Sequence, residues 1–67
     1  MRFNKEKFRD ERVRQGWSMR AFARELQKEF PKASAAMIWH WENIGNPTYE
    51  RLALAVKILK RDVSFFQ

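Results

Sequence analysis

The sequence predicts an all-α fold, a compact domain of four to five short helices. Apolar residues recur at helical spacing, a capping residue precedes each such segment, and glycines and prolines separate the segments. No stretch alternates apolar and polar residues over more than a few positions, and no Asn-Gly or Asp-Gly hairpin turn occurs. A chain of 67 residues supports one core at most, so we expect a single domain over residues 1–67.

The first predicted helix begins after Asn4, whose side chain can cap it, and runs to about Gln15. Phe8 and Val13 are among its few apolar residues. Gly16 suits the left-handed conformation in which many helices end, so we expect the helix to stop there.

The second predicted helix has Ser18 as its cap and covers about residues 18–29. Its apolar residues indicate a stripe that faces the core: Phe22, Ala23 and Leu26. A cationic stripe follows another face at i, i+4 and i+8: Arg20, Arg24 and Lys28. The small side chain of Ala23 would let the next helix approach closely.

The third predicted helix follows Pro31, because proline disfavours a helical conformation in the residue before it. Ser34 can cap this helix, which we place at about residues 34–43. Ile38 and Trp41 lie on one side of it at i and i+3, so we predict that both face the core.

The fourth predicted helix follows a loop that contains Gly45 and Pro47, and Thr48 can cap it. Its apolar residues define a buried stripe: Leu52, Ala55, Val56 and Leu59. A last short turn covers residues 63–66.

The charge distribution indicates an acidic polyelectrolyte as partner. The chain has 14 basic and 8 acidic side chains and a net charge of +6. Residues 1–32 carry ten basic and five acidic side chains, whereas residues 33–67 carry four and three. A solvated surface that only keeps a small protein soluble is the alternative interpretation of these charges.

The composition argues against several function classes. With no cysteine and one histidine, the chain offers no disulfide, no thiolate zinc site and no nucleophile–base pair. We therefore expect no enzyme, no catalytic residue, no metal, no cofactor and no small-molecule ligand. No apolar run approaches the roughly 20 residues that cross a bilayer, so we expect a cytoplasmic, nucleoid-associated protein without a membrane partner.

Several residues, in their order and spacing, resemble the lambda-repressor-like helix-turn-helix family of Cro/C1-type regulators. They are Phe8 with Arg12, Gly16-Trp17-Ser18, Phe22-Ala23 with Leu26, Ile38 with Trp41-Glu42, Gly45, Pro47-Thr48 and Leu52. The resemblance spans nearly the whole chain. It implies a sequence-specific transcriptional regulator of double-stranded DNA, a Cro-like repressor that controls its own phage or mobile-element operon. It also implies a structural ion pair between Arg12 and Glu42, which would hold the arginine near a phosphate. On the surface such a pair would contribute little, and an unpaired surface arginine and glutamate are the alternative.

The chain departs from that family's pattern in three places. Ala23 and Ile38 lie about five residues further apart than usual, so the tight turn of a few residues becomes the longer segment 27–33. Glu11 occupies a position that is usually apolar. The loop between Glu42 and Pro47 is slightly short.

If the third helix enters the major groove, its first turn faces the base edges. The predicted base-contacting residues are Ser34, Ala35, Ala36, Met37 and His40. The alanines and Met37 favour apolar contact with thymine methyl groups, whereas Ser34 and His40 could bond a base edge or a phosphate.

Phosphate contacts are predicted from the N-terminal end of the second helix, from its cationic stripe and from the loops. The predicted residues are Ser18, Met19, Arg20, Arg24, Lys32, Trp39, Asn43 and Asn46. For Trp39, a dimer contact and a place on the core are the alternatives.

The resemblance further implies a homodimer on an inverted repeat, with each subunit on one half-site. The predicted dimer interface is Leu59, Val63, Phe65 and Phe66; for the two phenylalanines, closure of the monomer core is the alternative. The alternative function is an antitoxin or accessory module that binds another protein through the same fold. RNA binding ranks last, because the chain lacks aromatic strand platforms and a GXXG loop.

Overall fold

Five helical segments make up the chain in the computed structural model, which describes residues 2–67. The four α-helices are α1 (Lys5–Arg14), α2 (Met19–Leu26), α3 (Ala35–Asn43) and α4 (Tyr49–Ile58), and a 3-10 helix (Val63–Phe66) ends the chain. No strand occurs in residues 2–67. The predicted all-α fold class is confirmed. None of these helices combines the length and apolar character that crossing a membrane requires.

Each α-helix begins with the side-chain cap that the sequence predicts. The side-chain oxygen of the residue before the helix accepts a hydrogen bond from the third backbone N–H of the helix, over 3.0–3.3 Å. The four capping residues are Asn4, Ser18, Ser34 and Thr48. The caps fix where the helices start, so the predicted starts agree with the structure to within one residue.

The second helix ends earlier than predicted, at Leu26 instead of residue 29. Beyond it, the N–H groups of Lys28 and Glu29 bond to carbonyls only three residues back, as in a tightening last turn. The side chain of Gln27 turns towards the next segment and donates to the carbonyl of Ala33 over 2.8 Å. Residues 27–34 therefore form a linker of turns between α2 and α3.

A core rich in aromatic rings joins the helices. Phe8 on α1 has no exposed surface and lies at the centre of this core. Ile38 and Trp41 of α3 are also buried, as predicted from their spacing. The full set of buried apolar residues is Phe8, Phe22, Ala23, Leu26, Ala33, Ile38, Trp41, Leu52, Ala55, Val56, Leu59 and Phe66.

The C-terminal 3-10 helix closes the core, which corrects part of the predicted dimer interface. Leu59 and Phe66 are 1% and 0% exposed, so neither can contact a second subunit. The Phe66 ring lies 5.5 Å from that of Phe8, and the Phe66 carbonyl accepts from the N–H of Asn4 over 2.6 Å. Apolar burial against α1 explains why these residues turn inward.

The other two predicted interface residues, Val63 and Phe65, are half-buried. The Phe65 ring is covered by cations, with Lys7 Nζ 4.1 Å and Arg61 Cζ 4.3 Å from its centroid. Val63 instead lines a surface groove together with Tyr49. Of the four predicted residues, Val63 is therefore the one that best retains an open apolar surface.

Candidate nucleic-acid interface

One side of α3 is open to solvent along its whole length. Its exposed residues follow the i, i+3, i+4, i+7 pattern of a single helix face: Ala36, Trp39, His40 and Asn43, here called the α3 face. Ile38, Trp41 and Glu42 point the opposite way and are buried. The packing of these three residues fixes how α3 is rotated about its axis.

This rotation changes the predicted set of base-contacting residues. Ala36 and His40 are exposed and belong to the α3 face, but Ala35 and Met37 are half-buried, and Met37 packs against the core. The hydroxyl of Ser34 is exposed and accepts from the N–H of Met37 over 3.1 Å. The accessible surface of α3 therefore runs from Ala36 to Asn43 on one face, and two residues of the predicted set, Ala35 and Met37, lie outside it.

Basic side chains are exposed on the elements that precede and pack against α3. Arg20 and Arg24 lie one turn apart on α2, which packs against α3. Lys32 is exposed in the linker that leads into α3. In residues 2–67 none of these three cations forms a salt bridge, so their charges are not neutralised by a neighbouring carboxylate.

The start of α2 offers backbone donors beside Arg20. The Ser18 hydroxyl accepts from the N–H of Ala21 over 3.0 Å. The first N–H groups of a helix have no partner within it, and here those of Met19 and Arg20 remain available to an anion. The predicted phosphate contacts at Ser18, Met19 and Arg20 thus lie together at one helix end.

The two asparagines predicted to contact phosphates differ in whether their side-chain amides are already hydrogen-bonded within the protein. Asn43 donates through Nδ2 to the backbone carbonyl of Trp39 over 2.9 Å, so part of its amide is used within α3. Asn46 is exposed in the next loop and has a positive φ of 63°, directly after Gly45 at 95°. Asparagine and glycine tolerate this left-handed conformation, which turns the chain from α3 into α4.

The stretch of chain that contains α3 is poor in acidic residues. Between residues 30 and 48 the sequence has one acid, Glu42. Its side chain has 0% exposure and is paired with Arg12. An anion that approaches the α3 face therefore meets no exposed carboxylate from this stretch of chain.

The ion pair between Arg12 and Glu42 forms, but it is buried instead of exposed. Arg12 donates through Nε and Nη2 to the two carboxylate oxygens over 2.5 and 2.9 Å, a bidentate arrangement. Its Nη1 donates to the carbonyl of Trp17 over 2.5 Å. The Arg12 side chain is 8% exposed, so it joins α1, α3 and the start of α2 and is not available to a phosphate.

Glu11 is the centre of a second charged cluster. In the sequence, Glu11 stands out only as an acidic residue at a position that is usually apolar. Its carboxylate accepts from Arg14 over 2.6 and 3.0 Å, from Gln15 over 2.8 Å and from Arg61 over 3.1 Å. The hydrogen bonds from Arg14 and Gln15, then that from Arg61, outweigh desolvation and lower the pKa of Glu11 from 4.5 to about 2. The cluster links α1 to the segment after α4.

We expect Glu11 to make stability depend on pH at acidic values. Because its folded pKa lies below 4.5, the carboxylate stabilises the fold above pH 4.5, and this contribution is lost as the pH falls towards 2. The free energy of unfolding of the wild type should therefore exceed that of Glu11→Gln at neutral pH, and the difference should shrink through this range. Urea unfolding at several pH values measures it. If the difference in unfolding free energy between the wild type and Glu11→Gln stays constant down to pH 2, the ionised Glu11 carboxylate does not stabilise the fold.

Three features suit an anionic partner: the exposed α3 face, the unpaired cations on α2 and the linker, and the lack of an exposed acid between residues 30 and 48. Arg12 and Glu42 hold the helices that carry this surface, while Ile38 and Trp41 set its orientation. No protein-family model, curated protein or solved structure matches the chain.

Proposed function

We propose that the protein is a sequence-specific transcriptional regulator, a dimeric repressor that inserts α3 into the major groove of double-stranded DNA. The observation that carries this proposal is the exposed α3 face, with free cations on α2 and on the linker and no exposed acid between residues 30 and 48. The resemblance of the sequence to Cro/C1-type regulators points to the same function. Such a regulator would act in the cytoplasm of a prokaryotic cell.

The dimensions of an α-helix fit this mode of binding. A helix with its side chains is about 10–12 Å across, and the major groove of B-DNA is about 12 Å wide. With α3 in the groove, the α3 face would lie against base edges. Arg20, Arg24, Lys32 and the N-terminal end of α2 would bind phosphates and set the register without reading sequence.

Replacing Arg20 and Arg24 together by alanine should weaken DNA binding about equally for all sequences. Each lost phosphate contact removes about one unit from the slope of log affinity against log salt, so the slope should fall by about 2. Fluorescence anisotropy with a labelled duplex over a salt series measures both quantities. The matched control is Arg2→Ala with Arg9→Ala, which removes the same charge from the N-terminal segment and α1. Equal losses in both double variants would mean that binding is not centred on α2.

A two-fold dimer needs a surface away from α3. Tyr49, which is 58% exposed, and Val63 line a groove of about 470 Å³ between α4 and the 3-10 helix. We propose that this groove, instead of Leu59 and Phe66, forms the dimer interface. Closed two-fold pairing of identical patches is the commonest form of protein assembly.

We expect Tyr49→Glu to convert the dimer to a monomer, because it replaces an exposed aromatic ring at the proposed contact by a charged carboxylate that must lose its water. Val13→Glu is the matched control, since Val13 is equally exposed, at 59%, but lies on α1. Sedimentation equilibrium at micromolar concentrations measures the mass. A wild-type monomer, or a Tyr49→Glu dimer, would contradict this interface.

The second candidate function is an antitoxin or accessory module that binds another protein. It is favoured by exposed apolar side chains on α3 and just after it, namely Trp39 at 51% and Ile44 at 55%. The two functions differ in their response to salt. Affinity for duplex DNA that falls steeply with salt supports the regulator, whereas salt-insensitive binding to a protein supports the alternative.

A further inference from the structure

We propose that Gln27 is a positioning residue for α3, and that its hydrogen bond to Ala33 fixes the direction in which α3 leaves the linker. Gln27 thereby sets how precisely α3 reads DNA without contacting a base itself. This inference rests on the proposed function and adds a residue on which the sequence specificity depends.

The side chain of Gln27 spans the linker. Gln27 is the C-cap of α2, and its Nε2 donates to the carbonyl of Ala33 over 2.8 Å. Ala33 directly precedes Ser34, whose hydroxyl caps α3. The carbonyl that Gln27 binds belongs to the planar peptide group between Ala33 and Ser34. The bond therefore orients the peptide group that leads into α3.

Ala33 is held by three separate interactions. Its side chain is 3% exposed and belongs to the core. Its N–H donates to the carbonyl of Phe30 over 2.9 Å, and its carbonyl accepts from Gln27. Among the hydrogen bonds of residues 2–67, the one from Gln27 is alone in reaching this carbonyl. Loss of that donor leaves the peptide group before α3 free to rotate.

Apolar packing does little to hold the middle of the linker. Phe30 is half-buried and packs against the core. The other residues there are exposed: Lys28, Glu29, Pro31 and Lys32. Segments with few buried apolar contacts open at a low free energy. Polar contacts therefore decide the conformation of this segment.

Two contacts from α4 support the linker, but neither reaches its last residues. Arg51 Cζ lies 5.0 Å from the centroid of the Phe30 ring. Lys57 Nζ lies 3.8 Å from the Glu29 carboxylate, and both of these side chains are more than half exposed, so the ion pair contributes little. The direction of α3 thus depends mainly on Gln27 and on the burial of Ala33.

A loosened start of α3 should weaken specific binding more than nonspecific binding. Contacts to base edges require one orientation of α3, whereas phosphate contacts from α2 come from outside the linker. A helix that is ordered only when it binds loses affinity to the cost of ordering. One net hydrogen bond corresponds to about a fivefold change in an equilibrium constant.

The test uses a motif that the wild type selects from a random duplex library. Fluorescence anisotropy then gives the ratio of the affinity for this motif to the affinity for a duplex that lacks it. Gln27→Met removes the donor and keeps the side-chain length, so the ratio should fall about fivefold. Gln27→Lys supplies a new donor and should restore most of the ratio. Its added charge strengthens binding to both duplexes and cancels in the ratio.

Gln15→Met is the matched control. Gln15 is the C-cap of α1 and also donates to a distant carbonyl, that of Leu59 over 2.9 Å, but this bond lies between α1 and the end of α4. The control should lose stability and keep the wild-type ratio. Amide hydrogen exchange supplies a readout without DNA: the N–H groups of Met37 and Ile38 should exchange faster in Gln27→Met and not in Gln15→Met.

The outcomes separate this inference from the proposed function. An unchanged ratio in Gln27→Met, an equal fall in Gln15→Met, or no recovery in Gln27→Lys would overturn the positioning role and leave DNA binding intact. Unchanged exchange at the start of α3 in Gln27→Met would overturn it as well. If the wild type selects no motif, both the positioning role and the proposed function are overturned.

Discussion

Glu42→Ala should lower the free energy of unfolding by about 3–5 kcal/mol, because it leaves the Arg12 guanidinium buried without its counter-charge. The Glu42 side chain has 0% exposure and receives two hydrogen bonds from Arg12. A domain of this size has a total stability of about 3–10 kcal/mol, so this loss is a large fraction of the total. Urea unfolding followed by circular dichroism measures the change.

A double variant separates the buried charge from the loss of packing. Arg12→Met with Glu42→Leu removes both charges and keeps most of the volume, so it should be more stable than Glu42→Ala. Recovery should be incomplete, since the carbonyl of Trp17 loses its donor. Glu50→Ala, which removes an exposed acid, is the control. If Glu42→Ala costs no more than Glu50→Ala, the ion pair does not hold the helices together.

Phe8→Ala should cost about 3–5 kcal/mol, as expected for an aromatic side chain removed from a closed core. The Phe8 ring has no exposed surface and contacts four other rings at centroid distances of 5.5–6.0 Å. Those rings are Phe3, Phe22, Trp41 and Phe66. The loss would affect α1, α2, α3 and the 3-10 helix at once, and thermal unfolding would report it.

Phe65→Ala is the matched control for this effect. Phe65 is half-buried and lies between the cationic groups of Lys7 and Arg61, so its removal leaves no closed cavity. We expect a clearly smaller loss of stability than for Phe8→Ala. Equal losses would mean that the core is not centred on Phe8.

Helix starts could be predicted from the sequence because each depends on one local interaction. The hydroxyl or amide of Asn4, Ser18, Ser34 or Thr48 reaches an N–H three residues away, and no distant part of the chain is needed. The end of α2 was predicted wrongly because it depends on a contact beyond the helix. Gln27 bonds to the carbonyl of Ala33, which only the folded linker brings within reach.

The candidate site was less predictable, because exposure depends on how the helices pack. Ala35 and Met37 precede Ile38 in the first turn of α3. They are half-buried because the side of α3 that packs in the core sets the rotation of the helix. The sequence resemblance indicated the pair of Arg12 and Glu42 but not its burial, which follows from the approach of α1 to α3.

The burial of the C-terminal residues could not be predicted from the sequence either. Spacing along the chain cannot distinguish an apolar residue that closes its own core from one that contacts a second subunit. Phe66 closes the core, and it does so because the 3-10 helix folds back against α1.

The most direct test of the proposed function is selection of binding sites from a random duplex library at about 0.15 M salt, which partly suppresses nonspecific phosphate binding. A dimer that inserts two copies of α3 should recover an inverted repeat whose half-sites lie about 10–10.5 base pairs apart, one turn of the double helix. Recovery of no motif, with retention of DNA only at low salt, would contradict sequence-specific recognition by α3.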